Sequence, residues 1–166
     1  MKRKNLQRVR FITLSATIAA LYVVLTLIAA AMGLASNSIQ IRFSEALCVL
    51  TFFTPAAVPG LTIGCFIANL ITGAAPLDLF LGTFATFLGA IGGYYLRKSK
   101  WIITLPTVLA NTLIIPFVIV YGYDNGSTVA LLPLYALTIF IGEFISAAIL
   151  GTGLLAILKR YKFKWN

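Results

Sequence analysis

The chain has 166 residues, of which 60% are apolar and 10% are charged, and its mean hydropathy is +0.99. This composition excludes a water-soluble domain, whose surface would be about a quarter charged or more. The net charge is +9, but the basic residues flank apolar stretches and form no basic face, which argues against nucleic-acid binding. Because the apolar stretches do not alternate as barrel strands do, we predict one all-α integral membrane domain over residues 1–166.

Six membrane spans are predicted along the chain. A bilayer core about 30 Å thick is crossed by about 20 helical residues. The first apolar stretch has 25 residues, which exceeds the roughly 7–15 residues of a signal-peptide core, so we expect it to be retained. The predicted spans cover residues 11–35, 44–54, 60–73, 76–96, 102–121 and 129–158.

The second and third spans depend on a break at residues 54–60. This stretch contains Pro55, Pro59 and Gly60, which favour a turn. With the break, twelve of the thirteen basic residues lie on one side of the membrane, and without it they divide into five and eight. Because cytoplasmic loops collect Lys and Arg, we predict six spans with both termini in the cytoplasm. Ser44 is the predicted N-cap of the second span, a helix only about 16 Å long.

Five charged residues stand outside the basic clusters, and the six-span topology places all of them towards the outer face: Arg42, Glu45, Asp78, Asp124 and Glu143. Glu143 lies 16 residues before Lys159, about 24 Å from the cytoplasmic edge and therefore inside the membrane. An ionisable group at that depth usually has a function, so Glu143 is the first candidate binding residue. Asp124 follows Tyr-Gly-Tyr in a polar turn, and we interpret it as solvated.

The other candidates each have a structural alternative. Arg42 and Glu45 are three residues apart and could form a surface ion pair that contributes little. Asp78 could merely favour the start of a helix, where the helix dipole attracts an anion. Asn69 and Asn111 could bind a ligand or could link neighbouring helices. No histidine is present, and Cys48 and Cys65 lie in apolar segments, so we expect no metal, no cofactor and no disulfide framework.

Three neighbouring stretches are similar to a known family. They are residues 40–47, Gln-Ile-Arg-Phe-Ser-Glu-Ala-Leu, residues 53–61, Phe-Thr-Pro-Ala-Ala-Val-Pro-Gly-Leu, and residues 63–70, Ile-Gly-Cys-Phe-Ile-Ala-Asn-Leu. Together they resemble the QueT family, whose members are substrate-binding S components of energy-coupling factor (ECF) transporters for queuosine precursors. The likeness extends to Ile141-Gly142-Glu143, although Phe144 departs from the small residue that is more usual there.

The resemblance implies six helices, cytoplasmic termini and an outward-facing pocket. It also implies a transmembrane coupling subunit and two ATPase subunits as partners. The family's Ala-x-x-x-Ala pattern in the first helix, which docks on the coupling subunit, matches Ala16 and Ala20. The chain has no Gly-x-x-x-x-Gly-Lys-Ser/Thr loop for ATP and no catalytic constellation, so we expect a transport component and not an enzyme.

The implied ligand is a 7-deazaguanine, in its aminomethyl or cyano form or as queuine. A carboxylate could accept hydrogen bonds from N1–H and the 2-amino group, with Glu143 as first choice and Glu45 as second. Asp78 could hold a cationic aminomethyl arm. The remaining candidates are Arg42, the amides Asn69 and Asn111, and the aromatic residues Phe43, Phe52, Phe53 and Tyr121. Two alternatives stay open: an S component for another vitamin-like molecule, and a proton-coupled carrier that titrates Glu143.

Overall fold

The computed structural model describes residues 2–34, 40–100, 102–124, 126 and 128–161, and this part of the chain contains helices and no strand. The end of the first predicted span at residue 35, the outer loop at residues 36–39 and the basic residues at 162 and 164 lie outside it. The helices, in order, are α1 (Lys2–Ala31), a 3-10 helix (Phe43–Phe52), α2 (Ala57–Ile71), α3 (Thr83–Tyr95), α4 (Leu105–Val118), α5 (Leu132–Glu143) and α6 (Gly151–Arg160). Three π-helical segments extend them, Asp78–Gly82 before α3, Ile119–Tyr123 after α4 and Phe144–Leu150 between α5 and α6, and a short 3-10 turn, Val129–Leu131, precedes α5.

The lengths and hydropathy of these helices confirm the all-α membrane class. Among the described residues, three continuous helices are long and apolar enough to cross a bilayer: Lys4–Ala31, Leu105–Tyr123 and Val129–Arg160. The last of these joins α5 to α6 through the π-helical segment. Two shorter apolar helices, Phe43–Phe52 and Ala57–Ile71, lie beside them. Large apolar side chains face outward, as expected of a surface in contact with lipid.

The predicted break is present but shorter than residues 54–60: the 3-10 helix ends at Phe52 and α2 begins at Ala57, so Pro59 and Gly60 lie within α2. Thr54 stabilises the turn by accepting a hydrogen bond from the Ala56 N–H at 3.2 Å. The prediction of Ser44 as an N-cap was wrong. The helix begins after Arg42 without a side-chain cap, and the Ser44 hydroxyl instead accepts a hydrogen bond from Thr26 Oγ1 at 2.9 Å.

The 3-10 helix is the core of the bundle. Its residues from Ser44 to Thr51 are all buried, so it is covered on every side and not only along one stripe. Leu47 and Leu50 pack with residues of α1 and α2, including Ile18 and Leu61. Cys48 and Val49 pack on the other side with α4 and the α5–α6 helix. Both cysteines are buried free thiols, as interpreted from the sequence.

Helix α1 packs closely on α2. A Cβ at Gly64 would lie only 2.7 Å from Tyr22 Cβ, so the absence of a side chain lets the two backbones approach. Ser15 Oγ of α1 donates a hydrogen bond at 3.0 Å to the carbonyl oxygen of Ala56, the residue before α2. The face of α1 that carries Ser15 and Tyr22 is thereby buried and holds the 3-10 helix in position.

Charged residues of the described part of the chain lie at both ends of the bundle. At one end, the Lys159 ammonium lies 3.8 Å from the centroid of the Phe52 ring, and Lys100 lines the same cleft as Lys159. We call this the basic end. At the other, the acidic end, Arg42 lies beside Asp78 and the Gln40 backbone rests on Gly142. The predicted six-span arrangement, in which the stray charges lie opposite the basic clusters, stays a prediction.

Candidate binding site

A cavity of about 390 Å³ opens at the acidic end of the bundle, and we call it the main cavity. It lies between the second half of α1, the end of α2, the π-helical segment before α3 and the end of α4. Its volume falls within the roughly 300–1,000 Å³ that is usual for small-molecule sites. Its polar wall is formed by Thr26, Gln40, Arg42, Asn69, Thr72, Asp78 and Tyr123.

Asp78 is the central charged group of the main cavity, and its side chain is 5% exposed. Its Oδ2 atom lies 3.7 Å from Arg42 Nη2 and accepts a hydrogen bond from the Tyr123 hydroxyl at 3.0 Å. Its Oδ1 atom is buried and has no hydrogen-bond partner. An unpartnered buried carboxylate oxygen is costly, and a rotation of the Asp78 side chain that brings Oδ1 to the cavity would let it accept a hydrogen bond from a ligand.

Asn69 supports Asp78 from α2. Its side-chain amide donates a hydrogen bond to the Asp78 backbone oxygen at 3.2 Å, and it lines the main cavity while only 3% exposed. Asn69 therefore both links two helices and lines the main cavity. The bond fixes the start of the π-helical segment that presents the Asp78 carboxylate.

Residues Gln40–Arg42 cross the site as an extended segment, which we call the partition. Its Arg42 N–H donates a hydrogen bond to Ser146 Oγ at 3.2 Å. Its Gln40 carbonyl presses on Gly142 so closely that a Cβ there would collide with it. Gly142 and Ser146 are four residues apart and share one helix face. They attach the partition to the α5–α6 helix and so fix where Arg42 enters the site.

The Arg42 side chain is cationic and partly enclosed. Burial lowers the pKa of its guanidinium, but the Asp78 carboxylate together with further groups, including Glu45, raises it by more, so the net pKa lies above its usual value. Arg42 thus pairs with Asp78 across the chain, and the local surface pair with Glu45, considered as an alternative, is not what the structure contains.

Glu143 lies behind the partition in a much smaller pocket of about 10 Å³. Its side chain is 7% exposed, its Oε2 atom has no hydrogen-bond partner, and Asn111 forms a side-chain hydrogen bond with its carboxyl group. Gln40, Arg42 and Ile115 line both this pocket and the main cavity. The Glu143 pocket has room for about one water molecule. Glu143 is therefore buried, as its position in the sequence implied, but the partition separates it from the main cavity.

Glu45 lines neither the main cavity nor the Glu143 pocket. Its side chain is 3% exposed, and its carboxylate accepts a short hydrogen bond from the Tyr22 hydroxyl. Together with the Thr26–Ser44 hydrogen bond, this contact joins α1 to the 3-10 helix. The geometry of Glu45 suits a structural link between helices better than ligand contact.

The aromatic candidates are not brought to the cavity. Phe43 is half-buried at the start of the 3-10 helix and lines neither space. Phe53 packs against the core at the basic end, with its ring centroid 5.1 Å from that of Phe52. Tyr121 is about as exposed as Tyr123, at 51% and 50%, but lines neither space. The aromatic ring that does reach the cavity belongs to Tyr123, two residues further along.

Asp124 was interpreted from the sequence as solvated in a polar turn, and the structure shows definite contacts for Asp124 and for Tyr123 before it. The Tyr123 hydroxyl accepts a hydrogen bond from the Ala75 N–H at 3.2 Å while donating to Asp78. Asp124 accepts hydrogen bonds from Thr128 Oγ1 at 2.7 Å and the Tyr135 hydroxyl at 3.3 Å. Asp124 therefore stabilises the connection from α4 to α5 and is not simply solvated.

Ala16 and Ala20 are exposed on α1, whereas Ser15, Ile18 and Ala19 beside them are buried against the bundle. The two alanines therefore share a helix face that points away from the rest of the chain. Small side chains on such a face allow another membrane helix to approach closely.

A model of the QueT transporter family matches residues 12–160 of the chain. The chain belongs to the QueT transporter family. Comparisons with curated proteins and with solved structures find no match. Family membership and the membrane-spanning helices together make this QueT protein a multi-pass membrane transport protein.

Proposed function

We propose that this QueT protein is the substrate-binding S component of an ECF importer and captures a 7-deazaguanine from outside the cell. The observation that carries the proposal is the main cavity, a polar space at the acidic end of an otherwise apolar bundle. Charged groups within a membrane domain are expensive and usually serve a ligand or ion. The family match supports uptake of a queuosine-related substrate.

The chemistry of the main cavity suits a flat base that bears several hydrogen-bond donors. The unpartnered Asp78 Oδ1 would accept from N1–H or the 2-amino group of the pyrimidinone edge, and a charged acceptor strengthens that bond. The Arg42 guanidinium would donate to the ring carbonyl oxygen. Tyr123 offers the aromatic ring that the other candidates do not supply. Asp78 thus replaces Glu143 as the proposed primary contact.

Glu143 is proposed as the second acid of the site. It lies behind the partition, with Oε2 unpartnered, so it would act on the ligand through Arg42 or through one water in its pocket. A cationic aminomethyl arm would be attracted by both carboxylates. On this basis the aminomethyl precursor would bind more tightly than the neutral cyano form.

Energy for uptake is proposed to come from a coupling subunit and two ATPase subunits. The chain has no phosphate-binding loop of its own. The exposed face with Ala16 and Ala20 is the proposed docking surface for the coupling subunit. It lies on the same helix as Thr26, which lines the main cavity, so α1 could relate ligand occupancy to docking.

Two measurements test the two halves of this proposal. Mass spectrometry of small molecules extracted from the purified protein should detect a 7-deazaguanine, and calorimetry should give micromolar or tighter binding; a different ligand class would overturn the substrate assignment. Ala16→Leu with Ala20→Leu should prevent co-purification with the ATPases while binding is unchanged, because bulky side chains keep the helices apart. Unchanged co-purification would overturn the docking assignment alone.

A proton-coupled carrier is the second candidate, because Glu143 is a buried carboxyl with an unpartnered oxygen. Such a carrier would accumulate substrate in proteoliposomes under a pH gradient without any ATPase. The ECF assignment instead requires that these vesicles show binding and no accumulation.

A further inference from the structure

A cleft of about 190 Å³ lies at the basic end, far from the main cavity. Two lysines border it, Lys100 from the connection between α3 and α4 and Lys159 near the end of α6. Its other walls are Thr152, Leu155 and Ala156 of α6. Neither the family assignment nor the proposed substrate site accounts for a cleft with this combination of charge and apolar surface.

The Lys159 ammonium has a defined position at the rim of the cleft. It lies 3.8 Å from the centroid of the Phe52 ring, a cation–π contact that holds the side chain in place. Lys100 adds a second positive charge at the same cleft.

The inner wall of the cleft is apolar. Leu155 forms a buried floor, 3% exposed. Ala148, Thr152 and Ala156 follow each other at intervals of four residues and line one face of the helix. The Thr152 hydroxyl is bonded to the Ala148 carbonyl oxygen of its own helix, so it offers little polarity to the cleft. Thr152 and Ala156 border the cleft, and we call the strip beside their small side chains the groove.

We propose that this cleft binds an anionic phospholipid of the cytoplasmic leaflet. The phosphate would lie between Lys100 and Lys159, and one acyl chain would follow the groove beside Ala156. Basic pockets between membrane helices on the cytoplasmic side are suited to anionic headgroups, since that leaflet is negatively charged. A cavity of about 150 Å³ already holds a benzene-sized group, so the cleft has room for a phosphate. This proposal does not depend on the identity of the transported ligand.

The test is a titration of the purified full chain with phosphatidylglycerol and, separately, phosphatidylcholine, followed by native mass spectrometry. Wild type should bind phosphatidylglycerol at least about tenfold more tightly. Because each lysine near an anionic surface contributes about fivefold, the Lys100→Gln, Lys159→Gln variant should bind it about 25-fold more weakly. Lys98→Gln with Arg160→Gln removes two charges from the same end without touching the lining of the cleft, and it should retain the preference.

Equal loss in both double variants would mean diffuse surface charge and would overturn the site, as would a wild type without lipid preference. Ala156→Trp fills the groove without changing the charge and should also weaken phosphatidylglycerol binding. If it leaves lipid binding unchanged but prevents co-purification of the ATPases, the face contacts a protein partner and the proposal is wrong. Full displacement of the lipid by inorganic phosphate would assign the cleft to the free anion instead.

Discussion

Asp78 and Glu143 are both buried carboxyl groups with one unpartnered oxygen, yet their surroundings differ greatly. Asp78 lines a cavity of about 390 Å³ and contacts Arg42 and Tyr123. Glu143 lines a pocket of only about 10 Å³, beside the Asn111 amide. The same three residues, Gln40, Arg42 and Ile115, separate them. Depth in the membrane alone would rank Glu143 first, but available space and paired charge rank Asp78 first. Burial identifies an unusual group, and the space around it decides what it can bind.

The largest effect is expected from Asp78→Asn. The change removes the charged acceptor and leaves Arg42 without its partner at 3.7 Å. We expect affinity for the 7-deazaguanine to fall by about 100-fold, or ~2.7 kcal/mol, measured by calorimetry in detergent. Asp124→Asn is the matched control, because Asp124 lies at the same end but lines neither space, and it should leave affinity unchanged. Wild-type affinity in Asp78→Asn would remove Asp78 from the binding site.

Glu143→Gln should have a smaller effect, about tenfold, because Glu143 acts through Arg42 or a single water and the amide can still form hydrogen bonds. The measurement is the same calorimetric titration, with thermal unfolding as a check that the bundle is intact. A loss greater than that of Asp78→Asn would reverse the ranking. It would mean that the partition moves aside on binding and that the two spaces form one site.

The sequence predicts the all-α membrane class, the break before α2 and the burial of Glu143, because these depend on hydropathy, proline chemistry and counting along a helix. It could not predict that Asp78 meets Arg42 and Tyr123. Those residues are 36 and 45 positions away from Asp78 in the chain, and only the packing of α2, α3 and α4 brings them together. Hydrophobic periodicity describes one helix at a time and gives no distances between side chains on different helices.

The 3-10 helix and Tyr123 show two further limits. A ten-residue 3-10 helix is rare enough that a pattern of apolar residues is interpreted as α-helical. Its burial on all sides, and not its own propensity, stabilises it. Nothing in the sequence indicated that Tyr123 lines the site, since a tyrosine beside Gly and Asp at the end of a span is typical of an interfacial turn. A hydroxyl bonded to a carboxylate 45 residues away is visible only in three dimensions.

Gly142→Ala tests whether the partition sets the difference between the two spaces. The new Cβ collides with the Gln40 carbonyl and should shift Arg42, lowering ligand affinity by about fivefold through overpacking. Gly153→Ala is the control, since a Cβ there meets nothing within 4 Å. In an Arg42→Gln background, Gly142→Ala should cost much less, because the two residues act on one interaction. Additive losses would show that Gly142 affects folding and not Arg42.

Tyr123→Phe should have the smallest effect on ligand affinity. It tests the contribution of one hydrogen bond to Asp78. The change keeps the ring and removes one hydroxyl, which donates to Asp78 Oδ2 and accepts from the Ala75 N–H. Loss of a hydrogen bond of this kind costs about 0.5–1.5 kcal/mol, and because the hydroxyl acts through Asp78 we expect the lower end of that range, a fall in affinity of about twofold to threefold. Tyr121→Phe, at an exposed neighbouring ring, should change nothing. If Tyr123 acts by orienting the carboxylate, Tyr123→Phe should have no further effect in the Asp78→Asn protein; a residual loss there would mean that the Tyr123 hydroxyl contacts the ligand directly.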